Sequence, residues 1–330
     1  MKTPNFWYNS LNLFSYILLP LSFLYMLAVN LYKRICKTHS FTIPIICIGN
    51  LTSGGTGKTP TTMAITERLK SMGYKPHIVS RGYGGRERGP LRVDERLHEA
   101  NDVGDEPLLL SHFAPTWVSK KKIYGVKAAI NAGADIIILD DGFQNMSIRK
   151  NLSIIVADAD LGFGNGRIIP AGPLRETITS GLKRMDLLIS VGSVESQKKF
   201  RKKYKYLIPE KDHIQATIVP IVTGLDWKGL RVFAFAGIGN PEKFFNTLSG
   251  LGADIVLTKK LADHKKFDNK LLSRLSNEAV KLNAQLVTTE KDAIRLPLSF
   301  RKKILTLPIR LDINKWEVLD EALQKILTES

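Results

Sequence analysis

Short apolar runs rich in Ile, Val and Leu alternate with helix-length segments along the chain after residue 40. The apolar positions within each run are continuous and do not alternate with polar ones, which is typical of strands in a parallel sheet covered on both faces. The first series of runs comprises residues 42–49, 76–80, 134–141, 152–158 and 185–190. This pattern predicts a doubly wound α/β fold with a mostly parallel sheet.

A second series of apolar runs begins near residue 216 and is again interleaved with helical stretches. It predicts a second, smaller α/β domain. Gly and Asp cluster at residues 223–229, between two predicted strands, as is typical of a connecting loop. We therefore predict one domain at residues 36–224 and another at residues 225–330, preceded by a distinct segment at residues 1–35.

The segment before residue 36 is strongly hydrophobic, and residues 11–32 contain no charged side chain. One helix of this length would measure about 33 Å, close to the hydrocarbon thickness of a bilayer. The run ends at Lys33 and Arg34 without a small-residue cleavage site, so we expect a retained membrane helix with the rest of the chain on the cytoplasmic side. Pro20 leaves open whether this helix spans the membrane or lies in its interface.

The charge balance narrows the choice of partners, because the chain has 48 Lys and Arg residues but only 31 Asp and Glu residues, which gives a net charge of +17. Such a chain is attracted to nucleic acid, to an anionic membrane surface or to a phosphorylated substrate. The stretch QKKFRKKYKY at residues 197–206 is compatible with a nucleic-acid patch, a solvated helix or a contact with anionic headgroups. Cys36 and Cys47 suggest neither a disulfide framework nor a zinc site and fit a reducing, cytoplasmic setting.

The glycine-rich stretch GNLTSGGTGKTP at residues 49–60 lies between the first predicted strand and a helix. This is the context of a phosphate loop, whose backbone N–H groups and helix N-terminus attract phosphate. Lys58 would meet the β- and γ-phosphates and Thr59 would bind Mg²⁺, while Thr52 replaces the usual leading glycine. The predicted nucleotide-binding residues are Thr52, Ser53, Gly54, Gly55, Thr56, Gly57, Lys58 and Thr59.

Two pairs of acidic residues are candidates for metal binding and catalysis, one at the end of a predicted strand and one before a predicted helix. Asp140 and Asp141 end an apolar strand, where a Walker-B carboxylate holds the metal shell, although paired acids are also common in turns. Asp105 and Glu106 precede a helical run and could supply a carboxylate near the attacking oxygen, although an Asp there is often a helix cap. His264 is a further candidate, with an ordinary surface histidine as the alternative.

Eight motifs in order along almost the whole chain resemble those of the tetraacyldisaccharide 4'-kinases, which phosphorylate the lipid A precursor. The resemblance rests on GNLTSGGTGKTP (49–60), SRGYGG (80–85), GDEP (104–107), LDDGFQN (139–145), GPLRE (172–176), FAGIGNP (235–241), LADHKKF (261–267) and TTEKDAIR (288–295), together with the hydrophobic N-terminus. The family's loop also lacks the leading glycine, so Thr52 fits the family pattern. Residues 120–122 (KKK) depart from it, because the family often has an arginine there, and lysine loses the bidentate fork for phosphate.

The resemblance implies a P-loop NTPase-like kinase that uses ATP and Mg²⁺ to phosphorylate the 4'-hydroxyl of a tetraacyl glucosamine disaccharide 1-phosphate, giving lipid IVA. Lys58 and Asp105 are implied to be catalytic, with Asp105 as general base and His264 as its dyad partner. The residues implied to form the Mg²⁺ shell are Thr59, Glu106, Asp140 and Asp141. The residues implied to face the disaccharide or its phosphate are Tyr83, Gln144, Asn145, Arg175 and Glu176.

The implied substrate is a membrane-embedded glycolipid, which favours the cytoplasmic face of the bacterial inner membrane and its anionic surface over nucleic acid, with no obligate protein partner. The main rival is a membrane-associated ATPase of the deviant Walker A type, whose signature lysine would stand at Ser53. A second rival is a basic P-loop protein acting on nucleic acid, whose binding should weaken steeply with salt.

Overall fold

The computed structural model of the protein describes residues 4–9, 12–262 and 266–328. The helices are α1 (Leu13–Ile17), α2 (Leu19–Ile35), α3 (Lys58–Ser71), α4 (Ala100–Val103), α5 (Asp105–Leu110), α6 (Lys122–Asn131), α7 (Ile178–Leu182), α8 (Val194–Tyr204), α9 (Pro241–Gly250), α10 (Asn269–Lys281), α11 (Glu290–Ala293), α12 (Leu298–Arg301) and α13 (Trp316–Thr328). The strands are β1 (Ile45–Gly49), β2 (Pro76–Ser80), β3 (Leu91–Arg92), β4 (Thr116–Val118), β5 (Ile136–Asp140), β6 (Leu152–Asp158), β7 (Leu187–Val191), β8 (His213–Pro220), β9 (Arg231–Ala236), β10 (Asp254–Lys260), β11 (Gln285–Thr289), β12 (Leu305–Leu307) and β13 (Ile309–Ile313).

A large sheet with the order β13-β8-β7-β6-β1-β5-β2-β4-β3 forms the main body of the chain. Its central strands are parallel, and only the edge strands β13 and β3 pair antiparallel with their neighbours. β1 lies between β5 and β6, so the carboxyl ends of these three strands meet at one edge. This arrangement confirms the predicted doubly wound, mostly parallel α/β fold.

Both faces of the large sheet are covered, which explains why its strands are apolar throughout. In β1, Ile46 and Ile48 pack in a cluster that contains side chains of α3 and α13. Ile45 and Cys47 point to the other face, where they join clusters with side chains of α6 and α8 respectively. Every residue of β1 is therefore buried, and the helices on both faces of the sheet are fixed by apolar packing.

A smaller, fully parallel sheet with the order β10-β9-β11-β12 follows. The chain enters it after β8 and leaves it through Pro308, and Ile221 N–H donates to the Pro308 carbonyl at 3.0 Å where the two connections meet. β8 belongs to the large sheet, although the second series of apolar runs was expected to begin there.

The last strand and helix also return to the large sheet. β13 pairs with β8, and the buried face of α13 joins the cluster under α3. The structure thus differs from the predicted grouping of residues 225–330, because Pro308 ends β12 and the following run continues on another sheet. The division between residues 224 and 225 itself remains a prediction.

The hydrophobic N-terminus forms two helices rather than the single helix expected over residues 11–32. The break falls at Leu18, and Pro20 lies in the first turn of α2, where its missing N–H is tolerated. Within the described ranges, no helix combines the length and the apolar character needed to cross a membrane. Ser15 and Ser22 face the large-sheet unit: Ser22 Oγ donates to the Ile168 carbonyl at 2.7 Å and accepts from Ala171 N–H at 3.1 Å.

Candidate active site

The glycine-rich loop connects the carboxyl end of β1 to the first residue of α3, as its sequence context predicts. Gly54 and Gly57 have φ values of 128° and 94°, in the left-handed region that favours glycine. The side-chain amide of Asn50 donates to the Gly54 carbonyl and to Thr56 Oγ1, both at 3.3 Å, which closes the loop across its base. The N-terminus of the 14-residue helix α3 therefore opens directly onto the loop, an arrangement suited to phosphate.

A second segment, residues 173–175, holds the loop from behind. Ser53 N–H donates to the Pro173 carbonyl at 2.7 Å, and Arg175 N–H donates to the Leu51 carbonyl at 2.8 Å. Between them Thr52 forms an antiparallel bridge with Leu174 and is buried. Thr52 has no positive φ, so its position in the loop does not require the glycine of the usual pattern.

Asp141 and Lys58 meet at the carboxyl edge of the sheet. Lys58 Nζ lies 3.9 Å from Asp141 Oδ1, and Arg175 Nη1 lies 3.1 Å and 3.2 Å from the two carboxylate oxygens of Asp141. Asp141 has a φ of 47°, which turns the chain sharply after β5. Burial alone would raise the pKa of Asp141, but the positive charges of Lys58 and Arg175 outweigh it and lower that pKa.

Asp140, the last residue of β5, is buried beside this pair. Ser80 Oγ donates to Asp140 Oδ2 at 3.1 Å, whereas Asp140 Oδ1 has no hydrogen-bond donor within the part of the chain that the structure describes. Burial and then the negative charge of Glu106 raise the pKa of Asp140 to about 6. An unpaired carboxylate oxygen of this kind favours a bound cation.

The buried ammonium of Lys122 lies under Asp140 and points to the backbone carbonyl oxygens of Asp140 and Val79. Burial lowers the pKa of Lys122. Its neighbour Lys120 donates to the Gly82 carbonyl at 3.2 Å. Of the three lysines at residues 120–122, Lys120 and Lys122 therefore hydrogen-bond to backbone carbonyl groups around the site.

Asp105 and Glu106 begin α5 and face α11 of the smaller sheet. Gly104, with a φ of 94°, is the N-cap, so Asp105 is the first helical residue and does not cap the helix. Asp105 Oδ2 lies 3.5 Å from Arg295 Nε, and Glu106 Oε1 lies 3.3 Å from Lys291 Nζ. The two acids thus connect the large-sheet unit to the smaller sheet beside the nucleotide edge.

The motif TTEKDAIR at residues 288–295 contributes two cations to the site for which the sequence alone predicts no role. Lys291 and Arg295 are four positions apart, a spacing that places both side chains on one side of a helical turn. Asp292 between them is fully buried and accepts hydrogen bonds from Gly237 N–H at 3.0 Å, from Thr289 Oγ1 at 2.7 Å and from Arg295. The i, i+4 spacing of two cations around a buried acid was the signal that could have identified this cluster.

Of the residues expected to face the disaccharide, three form one network behind the loop. Gln144 Nε2 donates to the Asn50 carbonyl at 2.9 Å, and Gln144 Oε1 accepts from Arg175 at 3.2 Å. Glu176 is buried and is contacted by Gln144, by Lys33 at 2.9 Å and by Arg184.

The other two lie elsewhere. Asn145 Oδ1 accepts from the N–H and the hydroxyl of Ser147 at 2.9 Å and 2.8 Å, which stabilises a local turn. Tyr83 is 76% exposed in the loop after β2. His264 lies outside the described residues, so its expected pairing with Asp105 remains a prediction. A substrate role for the five residues likewise remains a prediction.

The phosphate loop at the start of α3, the Lys58–Asp141 pair and the acidic start of α5 define a P-loop NTPase-like kinase. The family model of LpxK, tetraacyldisaccharide-1-P 4'-kinase, matches residues 14–328, and the chain belongs to this family.

The chain is similar to proteins named tetraacyldisaccharide 4'-kinase. It is 49% identical to the protein from Jannaschia sp. (strain CCS1) over 99% of each chain, and 46% identical to that from Dinoroseobacter shibae over 99% of this chain and 98% of the relative. Among solved structures it is similar to LpxK from Aquifex aeolicus, crystallised in complex with ATP. The TM-score is 0.77 and the identity 26%, covering 94% of this chain and 99% of that one.

Proposed function

We propose that this chain transfers the γ-phosphate of ATP to the 4'-hydroxyl of a tetraacyl glucosamine disaccharide 1-phosphate, giving lipid IVA. The observation that carries the proposal is the meeting of Lys58 and Asp141 with the acidic start of α5 at one edge of the sheet, in a chain of this kinase family. ATP is the proposed donor because the relative from Aquifex aeolicus was solved with ATP.

The loop and α3 bind the triphosphate in this proposal. Backbone N–H groups of the loop between Gly54 and Gly57 and the N-terminus of α3 face the phosphates, and Lys58 places its ammonium between the β- and γ-phosphates. Arg175, held against Asp141, adds a second cation at the edge where charge develops on the transferred group. These contacts stabilise a loose, in-line transition state rather than the ground state.

The donor set fits Mg²⁺, although no cluster of three or more His, Cys, Asp or Glu side chains that could hold a metal occurs in the described part of the chain. Mg²⁺ is usually held by only one or two carboxylates together with water and substrate phosphates. Asp140, with one unpaired buried carboxylate oxygen, Asp141, Glu106 and the Thr59 hydroxyl would hold it. When bound, the ion neutralises charge on the β- and γ-phosphate oxygens.

Asp105 acts as the general base on the acceptor. Its carboxylate accepts the proton of the 4'-hydroxyl as the sugar oxygen forms a bond to the γ-phosphorus and the bond from that phosphorus to the β–γ bridging oxygen breaks, releasing ADP. Arg295, anchored by the buried Asp292, orients the Asp105 carboxylate from the smaller sheet. His264 is proposed to assist Asp105 as its dyad partner.

The acceptor is a membrane glycolipid, so we place the enzyme at the cytoplasmic face of the bacterial inner membrane. Extracting a four-chain lipid into water would cost about 0.8 kcal/mol per CH₂ group. The large apolar side chains on α1 and α2 are exposed, as expected for a segment that enters the lipid interface. Tyr83, Gln144, Asn145 and Arg175 are the proposed contacts for the headgroup and its 1-phosphate. Glu176, buried between Lys33 and Arg184, is proposed to hold Gln144 in place behind the loop and not to contact the phosphate directly.

An acceptor-labelling assay tests the proposal. Purified protein with Mg²⁺ and γ-labelled ATP is expected to label a detergent-dispersed acylated glucosamine disaccharide 1-phosphate. Asp105→Asn should lower kcat by about 10²- to 10⁴-fold, the usual contribution of a general base, with little change in ATP affinity. The exposed Asp312→Asn provides the matched control. ATP turnover without acceptor labelling would refute the kinase proposal, and parallel losses in kcat and ATP affinity would remove Asp105 as the base.

A further inference from the structure

The exposed side of α8 and the residues after it form a strongly basic surface. Its buried positions, among them Phe200 and Tyr204, fix the helix against the large sheet, which directs the remaining positions to solvent. Six cations are exposed there: Lys198, Lys199, Arg201, Lys202, Lys203 and Lys205.

Two of these cations are neutralised locally, since Lys199 pairs with Glu195 at 2.7 Å and Arg201 pairs with Glu210 at 2.6 Å. The other four form no ion pair with any acidic side chain of the described residues. Their positive charge is therefore available to a partner. We call these four lysines, 198, 202, 203 and 205, the α8 lysines.

The end of α8 lies next to the hydrophobic N-terminal segment. Phe163 N–H donates to Tyr204 Oη at 3.0 Å, so the loop after β6 contacts the last residue of α8. Two residues further, Asn165 N–H donates to the Trp7 carbonyl at 2.8 Å and Asn165 Nδ2 donates to Ser15 Oγ at 3.0 Å. Because two residues of chain span at most about 7 Å, the α8 end and the α1 region flank the same short loop.

The neighbouring surface is apolar. Thirteen large hydrophobic side chains between residues 13 and 35 are exposed, including Leu13, Phe14, Phe23 and Leu27. This apolar surface and the α8 end, which carries lysines without ion pairs and Tyr206, 88% exposed, flank one short loop. An apolar surface combined with such lysines matches a bilayer with anionic headgroups. Nucleic acid would use the basic surface but would leave the apolar surface without a partner.

We propose that the α8 lysines bind anionic phospholipid headgroups and form, with the exposed face of α1 and α2, one membrane-binding surface. The inference rests on the proposed function, because it specifies how the enzyme is oriented toward its glycolipid. Binding through α1 and α2 supplies apolar affinity, while the lysines supply preference for anionic lipid, with each lysine near the surface adding about fivefold to the affinity.

Vesicle flotation of the full chain tests this assignment. Vesicles of phosphatidylcholine alone are compared with vesicles that also contain phosphatidylglycerol, at low and high salt. The test variant carries K198Q, K202Q, K203Q and K205Q. The matched control carries four exposed lysine substitutions elsewhere, K270Q, K281Q, K302Q and K303Q. Circular dichroism and melting curves verify that both variants are folded.

Wild type and the control variant are expected to bind the phosphatidylglycerol vesicles more tightly, by about tenfold or more, and to lose this preference at high salt. The α8 variant should lose most of this preference while still binding phosphatidylcholine. A preference of wild-type size in the α8 variant would overturn the inference. Binding to a labelled RNA is measured in parallel. If the α8 variant loses RNA binding while its vesicle binding is unchanged, the inference is also overturned.

The kinase proposal is read out separately by labelling of the detergent-dispersed acceptor. The α8 variant should label the dispersed acceptor at the wild-type rate but label acceptor embedded in phosphatidylglycerol vesicles more slowly. If the wild type labels no acceptor, the proposed function fails, and the flotation result still decides whether α8 binds anionic lipid. Equal labelling of vesicle-embedded acceptor by both proteins would count against the inference alone.

Discussion

The buried carboxylate of Glu176 links the N-terminal helix α2 to the phosphate loop, and its neutralisation should be costly. Lys33 of α2 contacts Glu176 Oε2 at 2.9 Å, Arg184 pairs with the other oxygen, and Gln144 lies 3.4 Å from that oxygen while donating to the Asn50 carbonyl at 2.9 Å. Replacing Glu176 by Gln keeps the shape of the side chain but leaves two cations without their counter-charge.

The magnitude follows from the burial of the three charges. Glu176 is 4% exposed, whereas the side chains of Lys33 and Arg184 are 22% and 29% exposed, so water can partly solvate the cations after the substitution. Losing one partner of a fully buried pair costs about 3–5 kcal/mol, and partial solvation reduces the expected loss for E176Q to about 2–3 kcal/mol. The melting temperature should fall by several degrees.

The assay is denaturant and thermal unfolding of the full chain without nucleotide, with E210Q as the matched control. Glu210 is 71% exposed in its pair with Arg201, so its loss should change stability by less than about 1 kcal/mol. A double-mutant cycle with Lys33→Met should give a coupling energy of about 1 kcal/mol or more. Equal effects of E176Q and E210Q, or additive effects of E176Q and K33M, would refute the link.

The contacts of Glu176 with Lys33 and Arg184 also predict how the stability of the protein depends on pH. Burial alone would raise the pKa of Glu176, but hydrogen bonds and charges from Lys33 and Arg184 lower it below the ordinary value of 4.5. A depressed carboxylate pKa gives stability that is fully present above pH 4.5 and is lost as the pH falls through the folded-state value. Wild type should therefore lose more stability than E176Q when both are acidified below pH 4.5.

Gly57→Ala should lower the free energy of unfolding by about 1–2 kcal/mol, because the φ of Gly57 is 94° and the new Cβ would lie 3.2 Å from Val191. Gly55→Ala is the control: its new Cβ would meet open space, so this variant should unfold like wild type without nucleotide. Burial and the charge of Arg201 lower the pKa of His213 from 6.5 to about 4, so stability should fall as the pH drops between these values. After allowance for solvent screening the loss is about 1–2 kcal/mol; urea titrations should show it reduced in H213Q and unchanged in the exposed H39Q. Asp292→Asn should cost about 3 kcal/mol in urea unfolding, as a buried partner of Arg295 is neutralised.

The large sheet and its nucleotide edge were predictable because each signal was local. Continuous apolar runs identify buried parallel strands, and the carboxyl ends of such strands share an edge, so the carboxylates of Asp140 and Asp141 were expected beside the phosphate loop. The break between α1 and α2 was less accessible, since Pro20 is compatible both with an uninterrupted membrane helix and with the first turn of a new one. The absence of charged residues over residues 11–32 favoured one continuous helix, although Pro20 is also compatible with a break.

Contacts between distant segments were not predictable from local pattern. Residues 304–313 read as one apolar run with a proline, and nothing in its periodicity indicates that Leu307 ends in the smaller sheet while Ile309 begins a strand of the large one. The roles of Lys291 and Arg295 were missed for the same reason. Their partners, Glu106 and Asp105, lie about 185 residues earlier in the chain.

β13 returns to the large sheet, and this return helps to fix the position of Arg295, beside the smaller sheet, relative to Asp105, the proposed base, beside the large sheet. The smaller sheet is joined to the large one by two connections that meet at Ile221 and Pro308, and Glu290 of α11 accepts from Ile309 N–H at 3.1 Å at the start of β13. Because α11 also carries Lys291 and precedes Arg295, the hydrogen bond at the start of β13 ties the segment that contacts Asp105 to the large sheet. The return of β13, which the pattern of residues does not predict, thus supports the contact between Arg295 and the proposed base.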